Sequence, residues 1–340
     1  MKKLKFLIIP LFGLGMIIHT CQTSRSPVVP DQPFERLSQY QFFMGLLSDL
    51  EPAERVIPYD LNTPLFSDYA YKARFVWMPE GTAAGYTTDE VLDFPEKTVL
   101  IKNFYYLDDE RDPSEGRRIV ETQLLINRSE EWEARTYTWN NEQTEAYLEV
   151  TGGDREISWI DKQGLKQTIN YKILNKNQCK SCHLTGNKQI PLGPKVSNLN
   201  RSFKYANGNM NQLDKWASVH YLKGYNPADE HPKLAVWNDV TSGTLPQRAM
   251  AYLDINCGPC HNPEGSVNAS GIYKATVSTG AGTGGHIYSI VPGKPEESIM
   301  INRMSSSDPS VLMPEVGRTL VHREGVELIS EWIERMEAGN

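Results

Sequence analysis

The sequence predicts an α+β multidomain chain, with an N-terminal all-β, sandwich-like domain followed by mainly α-helical units. Three observations predict it. Between residues 55 and about 173, short runs rich in Val, Ile, Tyr, Thr and Trp alternate with turn residues. After Gln178 the pattern changes to helical segments separated by Gly-, Pro- and Asn-rich loops. Two copies of a Cys-x-x-Cys-His motif both lie in that second half. At 340 residues the chain is long enough for two or three domains of ordinary size.

Lys2, Lys3 and Lys5 precede an apolar run from Phe6 to Ile18, too short to span a bilayer and arranged as a secretory signal over residues 1–20. Cys21 follows at once in Ile18-His19-Thr20-Cys21. This stretch resembles the lipobox at which a bacterial lipoprotein signal is cut and the new terminal cysteine is lipidated, with Ile18 and Thr20 standing where Leu and a small residue are usual. An ordinary signal with an incidental cysteine is the alternative. The expectation is an exported protein of the periplasm or cell envelope, attached to a membrane only through a lipid at Cys21. Without residues 1–20 the chain holds 32 basic against 42 acidic residues, a net charge of −10. That balance argues against nucleic acid, whose phosphates demand a basic face, and suits transient docking on the basic patch of a redox partner protein.

Residues 22–34, with Pro27, Pro30 and Pro33, read as a linker. Leu37, Phe42, Phe43, Leu46 and Leu47 recur at helical spacing and predict one amphipathic helix between Glu35 and Leu50. Strands are expected at Arg74–Met78, Thr98–Tyr106, Arg118–Ile126 and Glu133–Asn140, with turns at Gly152-Gly153 and Asp161–Gly164, which closes a helix-plus-β domain over 35–173. A first unit is expected over 174–243 and a second over 244–340. In the second, Thr244 and Gln247 form a capping box that opens a helix running into Cys257, and Val326, Ile329, Trp332, Ile333 and Met336 stripe a final helix from His322 to Met336.

Two thiols followed at once by an imidazole are what covalent attachment of haem c requires: two thioethers and one proximal iron ligand. Cys179-Lys-Ser-Cys182-His183 and Cys257-Gly-Pro-Cys260-His261 each meet that need, and the fifth cysteine of the chain is Cys21. The reading is therefore two haem c groups per chain, with His183 on the first iron and His261 on the second. Two disulfides would suit an oxidising compartment but leave both histidines unexplained. A four-ligand zinc site would have to bridge the 74 residues between Cys182 and Cys257.

A thioether opposite histidine raises the potential of a haem. Met313, in a Met-Pro loop 52 residues after His261 and ahead of the last helix, is assigned as the sixth ligand of the second haem, with Met304 as its rival. His286 and His322 could approach a haem edge. For the first haem the sixth ligand stays open between Met210 and His220, with His231 and a vacant position also considered.

Leu61-Asn62-Thr63-Pro64-Leu65-Phe66-Ser67-Asp68-Tyr69-Ala70, Lys102-Asn103-Phe104-Tyr105-Tyr106, Tyr137-Thr138-Trp139-Asn140, the two haem motifs and Leu312-Met313-Pro314-Glu315 together resemble a family of exported bacterial dihaem c-type cytochromes. The resemblance covers nearly all of the chain after the signal, and it implies haem binding and electron transfer; the leading expectation is a carrier with cytochrome c-like haem units that serves an exported dehydrogenase or respiratory chain. It carries the two motifs as attachment residues and Met313 as a ligand, and it supplies no substrate. Asp68, Lys72 and Arg74 form a charge cluster read as a structural ion-pair network. An electron carrier is favoured over an enzyme. The competing class is a dihaem, peroxidase-like oxidoreductase with an open first haem, which needs a distal acid–base group that no motif supplies. A third reading, a polymer-binding module, rests on the Trp- and Tyr-rich strands alone.

Overall fold

The computed structural model of the protein describes residues 26–337, other than 89, 130, 186, 187 and 263–288. After a short ladder of β1 (Phe43–Met44) and β2 (Glu51–Pro52) come β3 (Ile57–Tyr59), β4 (Tyr71–Trp77), β5 (Ala84–Gly85), β6 (Val99–Leu107), β7 (Arg117–Asn127), β8 (Trp132–Trp139) and β9 (Ala146–Glu149). Six of these form one antiparallel sheet in the order β3, β4, β6, β7, β8, β9. A separate hairpin of β10 (Gly153–Ile160) and β11 (Lys166–Ile173) follows. The second sheet expected of a sandwich is thus only this hairpin.

The period-2 alternation of the strands buries the sheet on both sides. Phe75, Trp77, Val99, Ile101, Leu124 and Ile126 pack with Leu37, Tyr40 and Phe42 of the N-terminal segment. Val76, Leu100 and Trp132 pack with Val196, Leu199, Leu213, Trp216 and Tyr221 on the opposite side. On that same side Phe104 and Tyr106 meet Trp159 and Tyr171 of the hairpin. Between these two apolar clusters runs a polar band: Arg74, Lys102 and Gln123 face one another across three strands, and Lys72, Phe104 and Glu121 form the next row. The Trp and Tyr residues of the strands are largely core, including Trp77, Trp132, Trp139, Trp159, Tyr106 and Tyr137, so the aromatic content that suggested a polymer-binding surface is explained by packing.

The expectation of mainly α-helical units after residue 174 is corrected. The described residues hold more strand than helix, and three of the six helices among them, α1 (Lys176–His183), α2 (Val196–Leu199) and α3 (Gln212–Ser218), are short. Between and after them lie the hairpins β12 (Leu184–Thr185) with β13 (Lys188–Gln189) and β14 (Ser202–Tyr205) with β15 (Gly208–Asn211), and then β16 (Leu222–Lys223), which pairs parallel to β5. Sequence chemistry accounts for this. Pro191, Gly193 and Pro194 interrupt helix, and Ala206-Asn207 forms the two-residue turn of a hairpin closed by the Tyr205–Gly208 pair. The apolar residues of the segment cover the sheet and build no helical core of their own.

Residues 35–50 also differ from expectation. They form two 3-10 turns, Leu37–Tyr40 and Leu47–Asp49, ended by left-handed Gln41 (φ 61°) and Leu50 (φ 55°). Their apolar spacing serves the sheet, with Leu37, Tyr40 and Phe42 buried and Leu46 exposed. Part of the expected linker is docked, since Arg135 donates to the Asp31 carbonyl at 2.7 Å and Arg128 to the Pro30 carbonyl at 2.6 Å.

The C-terminal part holds α4 (Leu245–Asn256), α5 (Ile299–Ser305) and α6 (Arg323–Glu334). The Thr244–Gln247 capping box is present at the start of α4. Ala249, Tyr252 and Leu253 of α4 pack on Leu328, Ile329, Trp332 and Ile333 of α6, as the stripe predicts. No helix among the described residues is long and apolar enough to cross a membrane. The signal and Cys21 lie outside the described residues.

Candidate cofactor site

The first motif sits on α1, which a capping box starts: Asn175 Oδ1 accepts from the Asn177 and Gln178 amides, both at 3.0 Å, and Gln178 Oε1 accepts from the Asn175 amide at 3.0 Å. On a helix, positions i, i+3 and i+4 share a face, so Cys179, Cys182 and His183 project together. His183 Nδ1 lies 2.8 Å from the Ile190 carbonyl. A carbonyl only accepts, so Nδ1 carries the proton and Nε2 keeps its lone pair, the arrangement of a metal-ligating histidine. Burial, with the Lys102 charge adding to it, pushes the imidazole down to about 4, which keeps it neutral.

The second motif follows α4 directly. The Cys260 and His261 amides both donate to the Cys257 carbonyl, at 3.2 and 3.0 Å, which folds the motif into one turn. His261 Nδ1 is buried without a hydrogen-bond partner, so that nitrogen is committed to no protein group. The four motif cysteines form no disulfide. Burial pushes the Cys257 thiol up to about 12, and the hydrogen bond with Cys260 raises Cys182 further, so both are thiols at neutral pH.

The two motifs meet. Cys260 Sγ is 3.9 Å from Cys182 Sγ and 3.5 Å from the Ser181 carbonyl, although the two cysteines are 78 positions apart. Cys179, Cys182, His183 and Cys260 line one cavity of about 590 Å³, within the range of cofactor sites. Preformed thiols, a neutral imidazole with a free Nε2 and a cavity of this size fit haem attached through thioethers. Among the described residues no group of three or more His, Cys, Asp or Glu is placed to hold a metal ion by itself.

Met313 and Met304 both lie with Cys257 around a much smaller neighbouring cavity, so the structure brings the assigned ligand and its rival to the second motif alike. The Met313 loop is held by Arg318, a residue sequence reasoning missed. Its buried guanidinium donates to the Met313 carbonyl at 2.8 and 3.1 Å, to Leu320 at 3.1 Å and to Met304 at 3.1 Å. His322 is buried there too, stacked on Phe66 with centroids 4.1 Å apart and 2.9 Å from the Tyr252 hydroxyl. His286 lies outside the described residues.

The first-haem candidates are elsewhere. Met210 is on the β14–β15 hairpin, 43% exposed, and His220 is a left-handed surface residue (φ 59°). His231 is engaged by Tyr86 at 2.8 Å and the Asn226 carbonyl at 2.9 Å. None of the three lines the cavity.

The sheet supplies another wall of the cavity, from residues to which the sequence reading gave no part in holding a cofactor. Lys102, Phe104 and Glu121 come from β6 and β7, and Tyr171 from β11. Glu121 Oε1 accepts from the Tyr171 hydroxyl at 2.8 Å and from Gln123 Nε2 at 3.0 Å, while Oε2 is buried and unpartnered. Burial pushes the Glu121 carboxyl up to about 7, against the lowering effect of Tyr171, Lys102 and Gln123. Burial, reinforced by Arg74, brings the Lys102 ammonium down to about 8. A charged residue inside Val-Leu-Ile-Lys-Asn-Phe, a strand buried on both sides, is the signal that could have found Lys102.

The Asp68, Lys72 and Arg74 cluster is three separate devices. Asp68 clamps Thr319 and Leu320, Arg74 pairs with Asp60 at 2.7 Å, and Lys72 donates to the Ala70 carbonyl at 3.1 Å.

Residues 257–315 match the model of a family described as Planctomycete cytochrome C, a match that begins at Cys257 and ends at Glu315, just after Met313-Pro314. This supports a c-type cytochrome-related region with covalently bound haem c in the C-terminal part of the chain. No curated protein and no solved structure matches the chain.

Proposed function

We propose that the chain is a dihaem c-type electron carrier of the bacterial cell envelope, exported by its N-terminal signal, tethered by a lipid at Cys21 and docking transiently on a redox partner protein. One observation carries the dihaem reading: two Cys-x-x-Cys-His motifs, far apart in sequence, are folded together with Cys182 and Cys260 sulfurs 3.9 Å apart. Haem held there supplies one-electron chemistry at its iron. The chain holds the two attachment points in contact, keeps His183 neutral and oriented through Ile190, and walls their cavity with residues of the sheet and of the β10–β11 hairpin. The acidic mature surface suits a basic partner face. The test is a reductive titration of the mature protein without mediating enzyme. Uptake of two one-electron equivalents per chain, given up on mixing with an oxidised carrier, is expected; steady turnover of a small substrate by the isolated chain would overturn the carrier reading.

A second reading has its own observation. Among the described residues lining the cavity, His183 is the one histidine and no methionine appears, which favours an open position on the first haem and a haem-dependent oxidoreductase. Rapid cyanide binding to one of two ferric haems would select it.

A further inference from the structure

We propose that Lys102 and Glu121, on one face of the central sheet, form a binding site for a carboxylate side group of the haem attached through Cys179 and Cys182; the proposal rests on reading that motif as a haem-attachment site. Lys102 lines the cavity shared with Cys179, Cys182 and Cys260. Its Nζ stands 4.8 Å from the centroid of the Phe104 ring. Among the described residues it has neither a hydrogen bond nor an ion pair, whereas the adjacent Arg74 is neutralised by Asp60. Glu121 is 1% exposed, lines the same cavity, and leaves Oε2 without a donor.

A half-buried ammonium without an ion-pair partner and a buried carboxyl oxygen without a donor are both left unmatched in the protein alone. They are not placed to satisfy each other directly, because Lys102 pairs across the sheet with Gln123 and Glu121 with Phe104. A carboxylate arriving in the cavity gives Lys102 its counter-charge, and when protonated it gives Glu121 Oε2 its donor. Haem brings two such groups covalently tied to the ring that the cysteines hold. The β domain is then one wall of the cofactor site and not a separate module.

The experiment uses the full chain matured with haem, as wild type, Lys102→Met, Lys102→Arg and Glu121→Gln. Haem per chain is counted first, and both reduction potentials are then measured by spectroelectrochemistry at about pH 7.5, between the values at which burial holds the Glu121 carboxyl and the Lys102 ammonium, so that both are mostly charged. Removing a nearby cation favours the ferric state, so Lys102→Met lowers one potential and leaves the other in place. Lys102→Arg returns it toward wild type, and Glu121→Gln raises the same one. A two-haem Lys102→Met protein with both potentials at their wild-type values, or with both displaced together, overturns the proposal. Should Lys102→Met not mature, Glu121→Gln decides alone, since its amide keeps an acceptor for Tyr171: an unmoved potential there overturns the proposal. A wild type without haem on the first motif fails the parent reading instead, and the haem count shows this before any potential is read.

Discussion

Asp68→Ala should loosen the C-terminal part from the sheet. The Asp68 carboxylate accepts from the Thr319 amide at 2.7 and 3.0 Å, the Thr319 hydroxyl at 2.9 Å and the Leu320 amide at 2.8 Å. Its own backbone is fixed by the Tyr106 hydroxyl, which donates to the Asp68 carbonyl at 2.7 Å, and by a left-handed conformation (φ 48°) that aspartate tolerates better than most residues. Alanine strands two amides and a hydroxyl. Each buried group left unsatisfied costs about 1–3 kcal/mol, and water entering the gap recovers part of this, so a loss of about 3 kcal/mol is expected. Asn retains one acceptor oxygen and should lose roughly half as much. Urea unfolding of the haem-loaded protein measures both. A loss below about 1 kcal/mol in Asp68→Ala would refute the clamp, because burial and four contacts would then be contributing less than one ordinary hydrogen bond.

Arg318→Met removes the donors that hold the Met313, Met304 and Leu320 carbonyls and should cost about 3 kcal/mol, with loss of the thioether–ferric charge-transfer absorption if Met313 is the ligand; an intact band at normal stability would contradict it. Burial among Phe66, Tyr252 and Trp237 holds His322 down at about 4, below its ordinary 6.5. Since the folded-state value is depressed, its stabilisation is full above about pH 6.5 and falls as pH drops toward 4, by about 3 kcal/mol. His322→Phe should flatten that part of the stability profile, read as thermal midpoints across the range. Thr244→Ala breaks the capping box of α4 and should cost about 1 kcal/mol in the same unfolding assay.

The parts legible in the sequence are those set by local chemistry. Alternation gave the strands from Arg74 to Asn140, Thr244 and Gln247 gave the start of α4, and Val326 to Ile333 gave the face that meets α4. The two Cys-x-x-Cys-His motifs were legible as spacings, and the family match begins at the second of them. What escaped depends on distant partners. The helical spacing of Leu37, Phe42, Phe43 and Leu47 was a misleading period, since the same residues pack on the sheet from an irregular segment that holds two 3-10 turns. Contact between Cys182 and Cys260, the donors of Arg318 and the unpaired faces of Lys102 and Glu121 arise from strand register and chain crossing, which no local pattern carries.

The most direct test counts covalent haem. The chain is expressed with a c-type maturation system, denatured, and its haem measured per polypeptide as the alkaline pyridine complex. Two haems per chain, one lost on Cys179→Ala/Cys182→Ala and the other on Cys257→Ala/Cys260→Ala, is the predicted result. One haem or none in the wild type, with a disulfide between Cys182 and Cys260 in its place, would contradict the account.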